Sequence, residues 1–244
     1  MDYFLVPWDT DILGFPVAGI DGIRVADIEL AGEEFQQFNE WRSREGIRLC
    51  SCRVRQEQLG ETAFLQLQGF RFIELNYHPA HRSLQQLELS PGGVVIERAG
   101  NVDCDALIDM AGQAFEHGRF HQDPALGARL GDLRYGVWMK NAFSHPGQTV
   151  YKCVENDETV GFFVVEYPVA NRAYWSLIGL TPGMGGQGLG TRVWQAMMLH
   201  HKNEGMDSVE TSISSHNVPA LNLYVKLGFR FPPPDVTFHR HYRG

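Results

Sequence analysis

The sequence predicts an α/β chain of two units, residues 1–92 and 93–244, and three observations carry that reading. An apolar run ending at Thr181-Pro182 is followed by five glycines, at 183, 185, 186, 188 and 190, and then by the helical spacing Val193, Ala196, Met197, His200. Two strand-like runs flank Asn156-Asp157, a pair of residues that tolerates a tight hairpin turn. Finally, Gly69-Phe-Arg-Phe72 recurs as Gly228-Phe-Arg-Phe231, each copy behind a helical pattern.

In chain order, Phe15-Pro-Val-Ala-Gly-Ile20 and Gly22-Ile-Arg-Val25 read as short strands. Residues 33–44 fit a helix with Phe35, Phe38 and Trp41 at helical spacing, and residues 47–54 read as a buried strand. Aligning the two Gly-Phe-Arg-Phe copies sets Leu65 opposite Tyr224. The first unit therefore reads as a degenerate copy of the second, without a glycine loop or the tyrosine, expected to shape a substrate site or extend a sheet. Ser90-Pro-Gly-Gly93 is the boundary. A strand at 94–98 leads to Asp103, an N-cap residue by type, and to a helix with Leu107, Ile108, Ala111, Ala114 and Phe115 on one face. A second helix covers 135–143, the hairpin strands 150–154 and 159–166, and a strand at 173–180 feeds the glycine loop. Residues 209–213 form the next strand, and the last helix opens at Asn217, with Pro219 in its first turn.

Composition bounds the function. With 43% hydrophobic and 20% charged residues the chain is ordinary globular material. A formal net charge of -8 argues against general nucleic-acid binding. No stretch approaches 18 uninterrupted apolar residues, so nothing is expected to span a membrane, and Asp2, Asp9 and Asp11 do not make a secretory signal. Cys50, Cys52, Cys104 and Cys153 lack metal-site spacing and read as reduced packing cysteines in the cytoplasm. His200-His201 and the His239, His241 pair have no carboxylate at metal spacing and read as surface or half-buried, so no metal is expected.

A glycine-rich loop opening a helix offers backbone N–H groups and partial positive charge to a phosphate. Three motifs compete for it. A Walker loop fails, because Thr191-Arg192 follows Gly190 where Lys is required. Gly183-Met-Gly185-Gly-Gln-Gly188 fits the dinucleotide fingerprint, with Glu210 about 20 residues on. Too little chain remains, however, to complete a nucleotide-binding sheet. The third reading joins two motifs. Leu180-Thr-Pro182 with Gly186-Gln-Gly188-Leu-Gly190 resembles motif A of the GNAT family of N-acyltransferases, and Asn217-x-x-Ala220-x-x-x-Tyr224-x-x-x-Gly228-Phe229 is similar to its motif B. One position departs: where the family often carries Gln or Arg, this chain has Gly185.

The resemblance covers residues 94–241 and implies the GNAT fold, a central mixed, mostly antiparallel sheet flanked by helices, preceded here by a smaller degenerate GNAT-like unit. It implies acetyl-CoA as co-substrate. Ile178, Gly179 and Leu180 would pair with the pantetheine arm, and Gly185, Gly186, Gln187, Gly188, Leu189, Gly190 and Thr191 would hold the pyrophosphate. Asn217 is either an ordinary N-cap or a coenzyme contact, with Ser215 capping in the second case. Tyr224 is expected to protonate the leaving thiolate, since a phenol with a pKa of about 10 is still protonated at neutral pH. No general base stands out, although His216 and Glu210 lie near the strand end facing the acceptor. The Arg119, His121, Asp123 loop suits a polar or phosphorylated ligand. Trp8-Asp-Thr-Asp-Ile-Leu-Gly-Phe15 and the Ala114 to Phe120 loop are similar to the dTDP-fucosamine acetyltransferases of bacterial polysaccharide synthesis. That narrower likeness implies acetylation of an amino group on a nucleotide-linked deoxy sugar, with Arg119, His121, Asp123 and His216 at the acceptor. Acyltransfer to another amine (peptide, antibiotic or polyamine) and a non-catalytic acyl-CoA sensor are the alternatives. Swapped terminal strands are common in such folds, which leaves a homodimer open.

Overall fold

The computed structural model describes residues 1–184 and 188–242 and divides the chain between two six-stranded sheets. The first unit runs β1 (Asp2–Leu5), α1 (Pro7–Leu13), β2 (Val17–Asp21), α2 (Ile28–Arg44), β3 (Leu49–Arg55), α3 (Leu59–Leu67), β4 (Arg71–Tyr77) and β5 (Ala80–His81). The second runs β6 (Val95–Arg98), α4 (Cys104–Gln113), α5 (Arg119–Gln122), α6 (Ala128–Ser144), β7 (Gln148–Glu155) and β8 (Glu158–Val169). It continues through β9 (Arg172–Leu180), α7 (Leu189–Asn203), β10 (Ser208–Thr211), β11 (Ile213–Ser214), α8 (Val218–Lys226) and β12 (Asp235–His241).

One sheet has the order β1-β2-β3-β12-β4-β11 and the other β5-β10-β9-β8-β7-β6. Each is antiparallel apart from one parallel pair, β2 with β3 and β9 with β10. The units exchange strands. The last strand of the chain, β12, lies between β3 and β4 of the first unit, while β5 joins the second unit's sheet against β10.

Local chemistry explains the elements. Asn156 and Asp157 take left-handed backbone, φ 53° and 64°, and close the β7–β8 hairpin. In β8 the side chains alternate: Phe162 and Val164 pack toward α4 and α6, Phe163 and Val165 toward α7. In α2, Asp27 Oδ1 accepts from the backbone N–H of Glu29 and Leu30, and Phe35 and Phe38 enter the core. The two Gly-Phe turns are the same structure. Gly69 and Gly228 have φ 81° and 82°, Phe70 N–H bonds to Leu65 C=O, and Phe229 N–H bonds to Tyr224 C=O. Leu65 and Tyr224 are therefore equivalent and both buried, which fits the internal copy read from the sequence.

Several local expectations are corrected. Residues 22–25 form no strand, because Gly22 turns left-handed (φ 61°) and Val25 N–H is taken by Glu61 Oε1 at 3.1 Å. β1 and α1 carry no expectation from the sequence. Asp103 caps the turn before α4 rather than the helix itself, accepting from Gly100 N–H at 2.8 Å and from Lys152 at 2.9 Å. His201 and His239 are fully buried rather than surface residues.

The buried histidines make stability pH-dependent. Burial, with His200 adding to it, depresses His201 to about 3; burial outweighs Asp123 at His239 and depresses it to about 4. The unfolded chain takes up these protons below about pH 6.5, but the native state refuses them. Stability is therefore complete above that pH and is lost as the pH falls toward 4. The expected slope is about 1.4 kcal/mol per pH unit for each such histidine. Urea midpoints from pH 7 to 4.5 measure it, and His201→Phe, against the Trp175 ring, is expected to flatten the curve.

Candidate active site

β9 and β10 part company. Their parallel pairing runs from Ser208 opposite Arg172 to Thr211 opposite Trp175; beyond it β11 pairs with β4 in the other sheet. The outer edge of β9 from Ser176 to Leu180 is left without a strand neighbour among the described residues. A register shift against β8 falls at Ser176, whose hydroxyl donates to Val164 C=O at 3.2 Å. Backbone donors and acceptors on such an edge need partners. Gly179 is required where it stands, since a Cβ there would lie 2.6 Å from the Phe162 ring.

The split opens into a cleft of about 1020 Å³ that continues across the first unit. One wall is Ser176, Leu177, Ile178, Gly179, Leu180 and Thr181, with Gly183, Gly188, Gly190 and Thr191 at its end. α8 supplies Ala220, Leu223 and Tyr224, with Asn217 at its start. The far side is Ser51 and Arg53 of β3, Glu74 and Asn76 of β4, and Asp9, Arg119, Arg134 and Tyr135.

The glycine end of the cleft is built on one backbone choice. Gly188 is the N-cap of α7 with φ 77°, a conformation that costs a non-glycine residue about 1–2 kcal/mol. An added Cβ there would meet nothing closer than 3.7 Å, so the cost lies in the backbone alone. Gly188→Ala is expected to weaken coenzyme A binding about tenfold by titration calorimetry, with the fold retained. Gly185, Gly186 and Gln187 lie outside the described residues. Leu189, the first residue of α7, is buried and does not line the cleft. Arg192 is held by Glu155 through bonds of 2.8 and 3.0 Å. Lys226, which the motifs did not single out, donates to Thr191 Oγ1 at 3.2 Å and brings an ammonium to this end; in the sequence it reads as any exposed lysine.

Tyr224 is 2% exposed, and burial pushes its phenol well above the usual range, with Trp194 and Thr211 as polar neighbours. Asn217 Oδ1 accepts from Ala220 N–H at 3.2 Å and caps α8, while Ser215 Oγ accepts from Leu75 N–H instead of capping.

Of the four residues expected at the acceptor, only Arg119 lines the cleft. It is paired with Asp9, which also accepts from Arg134 Nε at 3.3 Å. His121 bonds to Asp132 at 3.0 Å and stacks beside Tyr135, turned away from the cleft. Asp123 is buried, and its Oδ2 accepts from His239 Nδ1 at 2.6 Å and His241 Nε2 at 2.7 Å; these bonds hold its carboxyl well below the usual range. The histidine pair thus does have a carboxylate partner, at hydrogen-bond distances. His216 is exposed and donates to Ile73 C=O at 3.2 Å. The sequence reading missed Asp9, Arg53, Glu74 and Arg134.

The parallel pair of β9 and β10 thus splits beside the start of α7, with Tyr224 of α8 in the same cleft. Residues 113–229 match the model of the Acetyltransferase (GNAT) family, and the fold is the GNAT fold. The whole two-unit fold is similar to a GCN5-related N-acetyltransferase from Sphaerobacter thermophilus, with TM-score 0.67 and 15% identity over 94% of this chain and 73% of that one. It is also similar to a tandem GNAT protein from the clavulanic acid biosynthesis pathway, with TM-score 0.60 and 16% identity over 92% and 75%. Among curated proteins, the mycothiol acetyltransferase of Frankia casuarinae is 38% identical over 63 residues, 26% of this chain and 18% of that protein. The spore coat polysaccharide biosynthesis protein SpsD of Bacillus subtilis is 21% identical over 137 residues, 56% and 47%. The chain spans less than half the length of these curated relatives. No helix among the described residues is long and apolar enough to cross a membrane.

Proposed function

We propose that the protein is an acetyl-CoA-dependent N-acetyltransferase whose acceptor is the amino group of a nucleotide-linked amino-deoxy sugar, acting in the cytoplasm. The observation that carries this reading is the continuous cleft. One end is the unpaired edge of β9, suited to the amides of a pantetheine arm, and the other is a polar chamber with three arginines. In this reading residues 178–180 and 188–191 hold the coenzyme, with residues 185–187 completing the loop and Asn217 beside it. A backbone N–H at the Ser176 shift faces the thioester oxygen, a donor worth about 3 kcal/mol to the tetrahedral intermediate. The amine attacks, the carbon–sulfur bond breaks, and Tyr224 gives its proton to the thiolate. A guanidinium has five donors. Asp9 engages part of Arg119 and Arg134, and the remaining donors suit the phosphates of a sugar nucleotide. The similarity to SpsD supports a sugar acceptor.

The 38% identity to the Frankia protein favours a second reading, acyl transfer to another small amine. The test is thiol release from acetyl-CoA against dTDP- and UDP-linked amino sugars, a peptide amine, an aminoglycoside and spermidine. Release confined to sugar nucleotides is the expected result. Release with another amine transfers the assignment to the second reading. Coenzyme A binding without release on any amine identifies a sensor.

A further inference from the structure

We propose that Glu74 is the general base, the carboxylate that receives the acceptor ammonium and takes its proton; this rests on the N-acetyltransferase reading above. Four carboxylates line the cleft: Asp9, Asp21, Glu74 and Glu116. Asp9 is engaged by two guanidiniums, and Asp21 and Glu116 are exposed. Glu74 differs from all three. It is 3% exposed, its Oε2 has no hydrogen-bond partner among the described residues, and its Oε1 lies 3.8 Å from Arg53 Nη2, beyond hydrogen-bond reach.

The sheet register explains the placement. Glu74 of β4 stands opposite Thr237 of β12, which stands opposite Arg53 of β3, and Arg53 Nε donates to Thr237 Oγ1 at 3.2 Å. Arg53 is thus anchored to the swapped strand. It supplies charge near Glu74 without satisfying its oxygens. A buried carboxylate with an oxygen lacking a donor is unfavourable unless a ligand supplies one. The complementary group is small, cationic, rich in N–H donors and delivered through the cleft, which describes a primary ammonium.

The step balances. RNH3⁺ gives one proton to the Glu74 carboxylate, leaving RNH2 and a carboxylic acid. The nitrogen lone pair forms the bond to the acetyl carbon, and the carbon–sulfur bond breaks with its electrons going to sulfur. The thiolate takes the Tyr224 proton, the second amine proton restores the Tyr224 phenol as the amide forms, and Glu74 gives its proton up to solvent. One proton is released overall.

The experiment uses the full chain, acetyl-CoA and the amine panel above, with wild type, Glu74→Gln and Glu74→Asp from pH 6 to 9. Coenzyme A affinity serves as the folding control. Expected for Glu74→Gln is unchanged coenzyme A affinity, a fall in kcat/KM of about 10²-fold or more, and a rate that climbs about tenfold per pH unit, since only amine already neutral can react. Glu74→Asp is expected to keep the wild-type pH profile at a lower kcat. Should Glu74→Gln not bind coenzyme A, the aspartate variant decides: a wild-type profile supports the base, and a climbing profile overturns it. Glu74→Gln within threefold of wild type, or slowed with an unchanged pH profile, also overturns it. Wild type that binds coenzyme A but acetylates no amine removes the acetyltransferase reading first, and the base assignment falls with it.

Discussion

Tyr224→Phe is expected to lower kcat by about 10²- to 10⁴-fold, the range for a positioned acid or base, while coenzyme A affinity stays unchanged. The substitution removes one oxygen from a ring held on several sides. Trp194 and Phe229 sit with ring centroids 6.1 and 4.9 Å away, edge to face, and Phe packs there equally well. A loss of activity therefore reports the hydroxyl and not the fold. Its protonation state favours the role. Burial raises the phenol's pKa, so the proton is present across the neutral range and the wild-type profile shows no alkaline limb from Tyr224 below about pH 10. Stopped-flow detection of thiol, with circular dichroism as the folding control, measures both. Turnover unchanged at every pH would show that the thiolate finds its proton elsewhere.

The parts of this molecule legible in its sequence are those fixed by local backbone chemistry. Asn156-Asp157 announces a left-handed turn, the two Gly-Phe turns announce one repeated helix end, and the glycine run announces a helix start open to an anion. The polar chamber of the cleft is different. Arg119 is visible as a cation in a loop, but its partner Asp9 lies 110 residues away in an element with no strong periodic signal. The residues quoted for the narrower likeness, the Trp8 stretch and the Ala114 to Phe120 loop, turn out to be joined through that ion pair, so a pattern in two places reflects one contact. His121 and Asp123 share the polar character of Arg119 and sit within four residues of it, yet they point into the protein. Alternating direction around one short helix turn decides this, and composition does not encode it. Strand exchange hides the rest. Nothing near Asp123 indicates that β12, more than a hundred residues later, returns to meet it, and nothing near Glu74 indicates Thr237 across the sheet.

The start of α2 sets the first unit apart from the second. Its parallel pair β2 and β3 corresponds to β9 and β10, and its helix α2 to α7. Where α7 begins with a left-handed glycine, α2 begins with the Asp27 carboxylate already bonded to two backbone N–H groups. A built-in anion already caps the first N–H groups of α2, and the first unit contributes the sheet face that lines the far side of the cleft.

The largest effect on stability is expected from Asp9→Asn. Asp9 is 1% exposed and carries two guanidiniums, Arg119 of α5 and Arg134 of α6, while itself standing on α1 of the other unit. Arg134 is enclosed by aromatic rings, 4.3 Å from the centre of Trp8 and 5.2 Å from Trp138. Both guanidinium side chains are mostly buried, 16% and 12% exposed, and meet solvent only along the cleft wall. The asparagine keeps the shape and one acceptor oxygen but removes the charge, leaving two buried cations close to one another. Removing one partner of a buried ion pair costs about 3–5 kcal/mol, which for a chain of this size lowers Tm by roughly 6–20 °C. Differential scanning calorimetry reads the shift. The cost belongs to the orphaned arginines and not to a missing attraction, so Arg134→Met in the Asp9→Asn background is expected to recover part of the loss. A single variant within about 1 kcal/mol of wild type would mean that both guanidiniums are already solvated through the cleft.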